Sequence, residues 1–563
     1  MKPTLFIVLA VLLVAANSLG ASAIARDKSG IKMVLQITVD GLRSDLLTRY
    51  AQHFGEGGFA YLLNNGVHYP NAHYKHANTE TIVGHTTLST GAHPSEHGMV
   101  GNVIFDRKKG ELAYNIEDAD APILPTRDDA ADGAQVDPAQ KRSRSQGRSP
   151  GNIKTSTFAD ELSIHTSRKA KIFGVSGKDR SAIAMAGHSG KAFWFSTDTG
   201  DFQTSKYYYD AYPDWAAEWN GKRKAEVFAG KAWELPGDLS TYLNGDRDDR
   251  PFETDLKGYG RVFPHAFGQS DHPLFATRIL VSSVGDQLTA DFAKTIIDAE
   301  ALGKDDAPDY LSVSFSGVDA VNHFFGPSSV ENEAVVRDLD ATIADLLEHI
   351  DRAIGLNNVV IVLSADHGTP EAPEYASEYG MSVGRIDSAK LQEIAMDAAE
   401  KAFGHKNLIV AFFRPYIYLN QNAISRAGLD KGEVEAVVGE AVSGIPGIAR
   451  TLSRSELPNL QGTNLVERVR NNNHPDNSGD IYVVQEPFWY LQEGGAISVM
   501  HGSPWSYDTN VPILFAGPGI EKKTVNRLVH PVNVAPTLSA ILGTKVPSAA
   551  FATPLVEVVD VAR

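Results

Sequence analysis

The chain has 563 residues, 42% hydrophobic and 21% charged, which are the proportions of a globular protein and exclude a disordered one. Lys plus Arg number 52 against 69 Asp plus Glu, a formal net charge of −17 that repels phosphate backbones at long range and excludes a general nucleic-acid binder. Cysteine is absent, so disulfides, thiolate metal ligands and a cysteine nucleophile are excluded together.

In chain order the first segment reads as an address. Lys2 precedes an apolar run over residues 5–16 (LFIVLAVLLVAA), and Ala21-Ser22-Ala23 offers the small-x-small pattern cut by a signal peptidase. That run is too short to span about 30 Å of hydrocarbon as a permanent helix. We therefore expect a signal peptide over 1–23 and a mature chain over 24–563. Export to the periplasm or the medium follows, with no stable membrane insertion after cleavage.

Residues 33–39 (MVLQITV) run into Asp40-Gly41, and residues 78–88 (NTETIVGHTTL) read as a polar loop entering a helix. The loop sets the Thr81 hydroxyl among the free N–H groups and positive dipole end of a helix, which favour an alkoxide and a phosphate alike. Taken alone, Thr81 is also an ordinary N-cap, and Asn102 in MVGN is an ordinary turn residue. Residues 106–151 are polar and rich in Asp, Arg, Ser and Pro. They read as a surface excursion whose basic run, residues 141–148 (KRSRSQGR), forms a solvated face.

Residues 171–175 (KIFGV) run into SGKDR, where Lys178 and Arg180 flank Asp179 and face one side. Two cations so close repel, and an anion with several oxygens between them relieves the cost. Residues 207–271, aromatic and charge-rich, read as an inserted cap. Residues 310–315 (YLSVSF) precede SGVD, and Asp319 and His323, four apart, share one face of a helical turn. An amphipathic pattern over residues 335–353 predicts a helix. Residues 359–363 (VVIVL) precede SADHG, whose loop can aim Asp366 and His367 inward, and His501 lies in a glycine-bordered loop.

Apolar, β-branched runs ending at glycine and alternating with amphipathic helices predict an α/β fold with a central, mostly parallel sheet flanked by helices. Ligands of such sheets bind beyond the carboxyl ends of the strands, and the reactive residues cluster at those ends. Asp40, Asp319, His323, Asp366, His367 and His501 suffice for two tetrahedral N/O metal sites, each with an open position.

Together these segments resemble the alkaline phosphatase superfamily, and within it the exported bacterial alkaline phosphatases of the PafA/PhoK type, which use a threonine nucleophile. The matching pieces are Val39-Asp40-Gly41, Thr81-Ile82-Val83-Gly84-His85, Gly101-Asn102, Gly177-Lys178-Asp179-Arg180, Gly317-Val318-Asp319 with His323, Ser364-Ala365-Asp366-His367-Gly368, and His501-Gly502. The resemblance implies an alkaline phosphatase-like fold with inserted segments near 106–151 and 207–271. It implies two Zn2+, one held by Asp319, His323 and His501, the other by Asp40, Asp366, His367 and the Thr81 oxygen. Asn102, Lys178 and Arg180 would contact the phosphoryl oxygens, with Lys178 in place of the third metal of the serine enzymes. The implied activity is hydrolysis of small-molecule phosphate monoesters through a phosphothreonine, by a monomer.

Three rivals compete with this reading. A nucleotide pyrophosphatase/phosphodiesterase of the same superfamily would carry an apolar or nucleoside-stacking pocket in place of Lys178 and Arg180. A sulfatase needs a Cys or Ser in a C/S-x-P-x-R context, and neither Cys nor a Pro near Thr81 is present. A non-catalytic zinc protein would have no use for a hydroxyl beside a full ligand set.

Overall fold

The computed structural model of the chain describes residues 30–127, 136–495 and 497–559; the expected signal peptide lies outside the described residues. Strands buried at every position must be covered on both faces, and the four largely apolar runs, each buried throughout, become neighbours in a nine-stranded sheet. In chain order its strands are β1 (Met33–Val39), β2 (Gly66–His73), β3 (Ile172–Ser176), β4 (Lys191–Phe195), β5 (Phe202–Gln203), β6 (Asp309–Phe315), β7 (Val359–Ser364), β8 (Asn510–Ala516) and β9 (Lys523–Thr524). Their spatial order is β9-β2-β8-β7-β1-β6-β3-β4-β5.

The centre is parallel. β1 pairs with β6 and β7, with Thr38 opposite both Ser314 and Ser364, and β3 and β4 extend the set. β8 runs antiparallel to β7 and β2, and β5 to β4, so the sheet is mixed around a parallel core. The shared register brings the carboxyl ends of β1, β3, β6 and β7 level. The residues that follow them emerge side by side.

Alternation along the strands assigns each face. Leu35 and Ile37 of β1 join Leu311 and Val313 in one cluster, beneath helices Ser283–Ala299 and Val330–Ala353. Val34 joins Val360, Val362 and Phe515 on the other face, under Phe158, Met185 and Leu538. Three further helices matter here: α1 (Thr81–Thr90), α2 (Asp179–Ala186) and α3 (Gly317–Phe325). Every residue of α1 is buried, as expected of a helix enclosed on all sides.

Two segments depart from the sequence reading. Residues 384–492 build a second layer, in which a four-stranded antiparallel sheet (Ile409–Phe413, Tyr416–Leu419, Ile481–Gln485, Ile448–Ser453) packs against helices Ser388–Phe403 and Lys431–Ser443 over a core of its own. Its strands and helices alternate as in the main sheet, so no change of composition marks it. The basic run over 141–148 is not a solvated face throughout. Arg148 is 6% exposed because its Nε donates to Asp179 at 2.9 Å. Within residues 207–271, Trp219, Trp233, Tyr242 and Tyr259 belong to the same core cluster as β1.

Candidate active site

Thr81 opens α1 and is fully buried. The N-cap is the preceding residue, Glu80, in extended conformation. Its carboxylate turns away from the helix to accept the Asn102 backbone N–H at 2.6 Å and the Asn78 side-chain amide at 3.3 Å. Asn102 in turn accepts the Ile82 N–H of the first turn through Oδ1 at 3.2 Å, which leaves its amide NH2 to serve a ligand. Arg180 Nη2 reaches Thr81 Oγ1 at 3.5 Å. The hydroxyl thus stands at a positive helix end beside a guanidinium, where a negative oxygen is stabilised.

Beneath it lie the carboxylates and imidazoles. Asp40 follows β1, Asp366 and His367 follow β7, and Asp319 and His323 sit one turn apart on α3. His367 Nε2 is 3.3 Å from Asp40 and 3.4 Å from Asp366. Asp319 lies 3.2 Å from His323 Nε2 and 3.5 Å from His501 Nε2, and the His367 and His501 rings stack with centroids 3.6 Å apart. Two triplets, Asp40-Asp366-His367 and Asp319-His367-His501, bring their ligand atoms within 4.8 Å of one another.

Each of the three inward histidines is anchored through Nδ1 to a backbone carbonyl: His323 to Val499 at 3.1 Å, His367 to Gly368 at 2.9 Å and His501 to Thr79 at 2.7 Å. An Nδ1–H donor leaves Nε2 a lone pair facing the cluster, the usual arrangement of a metal-ligating imidazole. Asp40 Oδ1, Asp319 Oδ1, Asp366 Oδ2 and His367 Nε2 are buried without a hydrogen-bond partner among the described residues. Buried acceptors converging on one another are costly unless a cation satisfies them. Lys178 supplies part of that charge, its Nζ lying 2.8 Å from Asp40 and 2.5 Å from Asp319. The orphaned oxygens and nitrogen remain. All are N/O donors, and the set suits divalent cations of the zinc type.

Electrostatics agree with the geometry. Burial would raise the Asp40 and Asp319 carboxyls, but Lys178 and the histidines outweigh it and hold both below the usual carboxylate range. Burial would lower His367, yet Asp366 and Asp40 push it up to about 10: these carboxylates draw a positive charge to Nε2, and a cation bound there would take the place of that proton.

Above the cluster lies an open cleft of about 180 Å3, lined by Asn102, Lys178, Arg180, His323 and His501 together with Arg414. All ten residues singled out in the sequence therefore converge. The sequence reading missed a supporting set. Arg414, from the second layer, pairs with Glu80 at 3.1 Å and donates to the His501 carbonyl at 3.1 Å. Tyr114 and Arg148 hold Asp179 at 2.7 and 2.9 Å, and Asp137 holds Arg180 at 2.7 Å. No local spacing announces partners so far apart in the chain. Only the polarity of residues 106–151 hinted at them.

Comparison with known proteins agrees with this arrangement. The profile of the type I phosphodiesterase / nucleotide pyrophosphatase family matches residues 34–504. Alkaline phosphatase PafA of Elizabethkingia meningoseptica is 31% identical over 94% of each chain. A protein named calcium-transporting ATPase from Myroides odoratus is 29% identical over 94% of this chain and 95% of its own. Alkaline phosphatase PhoV of Synechococcus elongatus is 29% identical over 92% and 91%. The crystal structure of wild-type PafA superposes with a TM-score of 0.87 at 30% identity, covering 94% of this chain and 99% of its own. A PafA variant substituted at a threonine, an asparagine, a lysine and an arginine superposes at 0.86. The chain belongs to the type I phosphodiesterase / nucleotide pyrophosphatase family, within the alkaline phosphatase superfamily.

Proposed function

We propose that the chain is an exported phosphate-monoester hydrolase that releases inorganic phosphate through a phosphothreonine at Thr81, with two zinc ions as cofactors. Asp319, His323 and His501 would hold one ion. Asp40, Asp366, His367 and the Thr81 oxygen would hold the other. When bound there, such a pair supplies Lewis-acid stabilisation of negative charge on oxygen. The relatives named alkaline phosphatase, matched over nearly their whole length, support the reaction class. Export rests on the leader-like sequence over 1–23. Among the described residues no helix is long and apolar enough to cross a membrane.

The chain's own groups divide the work. Thr81 Oγ forms a bond to phosphorus as the bond to the ester oxygen breaks, and water then cleaves the phosphothreonine and restores the hydroxyl. Lys178 and Arg180 bring fixed positive charge to the transferring group, where charge develops, and Asn102 offers its amide N–H groups. A monoester presents three unsubstituted oxygens to these three residues. A diester has one oxygen blocked and gains less. The family's name covers diesterases, and the two buried cations are what favours the monoester.

The observation that carries the reading is a buried threonine hydroxyl at a helix N-terminus, 3.5 Å from Arg180, above a nest of orphaned carboxylate and imidazole atoms. It is tested by comparing turnover of an aryl phosphate monoester and the matching diester, with metal analysis of the same sample. Thr81→Ala should abolish the burst and lower kcat by more than about 1000-fold. A preserved burst, or a preparation with no bound metal and full turnover, refutes the assignment.

A further inference from the structure

Arg180 is 4% exposed, and its five N–H donors are unequally used. Nη1 donates to Asp137 Oδ2 at 2.7 Å and to the Tyr114 hydroxyl at 3.4 Å. On the other edge, Nη2 makes the long 3.5 Å contact with Thr81, and Nε is buried with no partner among the described residues. Nε–H and Nη2–H are the parallel pair of a guanidinium that grips two oxygens of one phosphate. A buried donor left open in this way is destabilising until something accepts from it.

Asp137 is itself held rigid. Its Oδ1 accepts the Ala139 N–H at 2.8 Å and the Gln140 N–H at 3.4 Å, closing a tight turn. The turn is tied to the same helix start, because the Gln140 amide donates to Asp179 at 3.0 Å. One carboxylate oxygen is thus spent on the turn and the other on Arg180. The rotation of the guanidinium is set by a loop rather than by the substrate.

We propose that Asp137 is the positioning residue of the phosphate clamp, fixing the Nη1 edge of Arg180 so that the Nε/Nη2 edge is presented to two phosphoryl oxygens. The inference rests on the phosphatase reading above. Preference for monoesters over diesters depends on a residue outside the clamp, in the polar segment over 106–151.

The test uses the metal-replete protein. Asp137→Ala should lower kcat/KM on an aryl phosphate monoester about 10- to 100-fold, the scale of a clamp displaced by about 1 Å, and weaken inorganic phosphate binding by a similar factor. Diester turnover should stay near wild type, because the blocked oxygen already forfeits the second contact. Asp137→Asn keeps an acceptor in place and should recover most of the loss. In an Arg180→Ala background Asp137→Ala should add nothing, since groups acting as a unit are not additive.

Equal losses on both esters, tighter phosphate binding, or additive losses in the double variant would overturn the proposal. If wild type cleaves the monoester and Asp137→Ala does so equally well, only the positioning role fails. If wild type cleaves neither ester, the phosphatase reading fails, and calorimetry with inorganic phosphate still reads Asp137.

Discussion

Replacing Gly84 by alanine tests whether the helix that carries Thr81, the proposed nucleophile, must touch the Asp366 loop, which carries two of the proposed metal ligands. Gly84 lies in the first turn of α1, and an ideal Cβ there falls 1.9 Å from the Asp366 carbonyl oxygen and 2.6 Å from its carbonyl carbon. Relieving that overlap takes a separation of at least about 1 Å, since carbon and oxygen repel steeply inside normal contact distance. Neither partner yields easily. The Asp366 loop is tied by Gly41 N–H to Asp366 Oδ1 at 3.1 Å, by Gly368 N–H to the Asp508 carbonyl at 2.8 Å and by the Tyr74 hydroxyl to the Ala365 carbonyl at 2.8 Å.

Overpacking of this kind costs about 1–3 kcal/mol, and shifting Thr81 by about 1 Å from Asp366 should cost about 100-fold in rate. The assay is kcat/KM on an aryl phosphate, paired with thermal unfolding followed by circular dichroism. A folded protein with a large loss of turnover is expected. Gly221→Ala is the control: that Cβ meets nothing within 4 Å, and alanine in a helix should be neutral or stabilising by about 0.5–1 kcal/mol. Wild-type turnover in Gly84→Ala, with stability changed by less than about 0.5 kcal/mol, would show that the close approach plays no part.

Three other outcomes are expected. Lys178→Met leaves the Asp40 and Asp319 carboxylates facing each other, so chelated protein should lose about 3–5 kcal/mol of stability and metal-loaded protein much less; equal losses in both states would refute this. Arg180→Ala should depress monoester hydrolysis far more than diester hydrolysis, and a parallel fall would remove it from the clamp. Glu253 is 5% exposed, and burial, then the nearby Glu331, raise its carboxyl from 4.5 to about 9. The native state therefore keeps a proton the unfolded chain has released, and stability falls as pH rises through that window by up to about 1.4 kcal/mol per unit. Glu253→Gln should raise Tm near pH 9 and not near pH 4; a uniform shift would rule out the linkage.

The proposed ligands and nucleophile were legible because parallel strands buried on both faces read as largely apolar, β-branched runs, and each runs into the residues it presents. Asp40 after β1 and Asp366-His367 after β7 follow from that rule, as does the helical pair Asp319 and His323. Thr81 was legible as a hydroxyl at a helix start, though its capping role proved to belong to the backbone of Glu80, whose side chain serves Asn102 instead. Arg148 departs from that reading because its run is polar throughout except for Gly147, and its partner Asp179 lies 31 residues on, beyond a helix and a strand.

The amino-acid sequence by itself determined which side chains stand at the carboxyl ends of the strands, because periodicity and burial are local properties of the chain. Only the tertiary structure decided that Arg414 of the second layer braces Glu80 and His501, and that Asp137 and Arg148 brace Arg180 and Asp179. Ion pairs carry no period, so their partners are chosen by whatever the packed fold brings within reach.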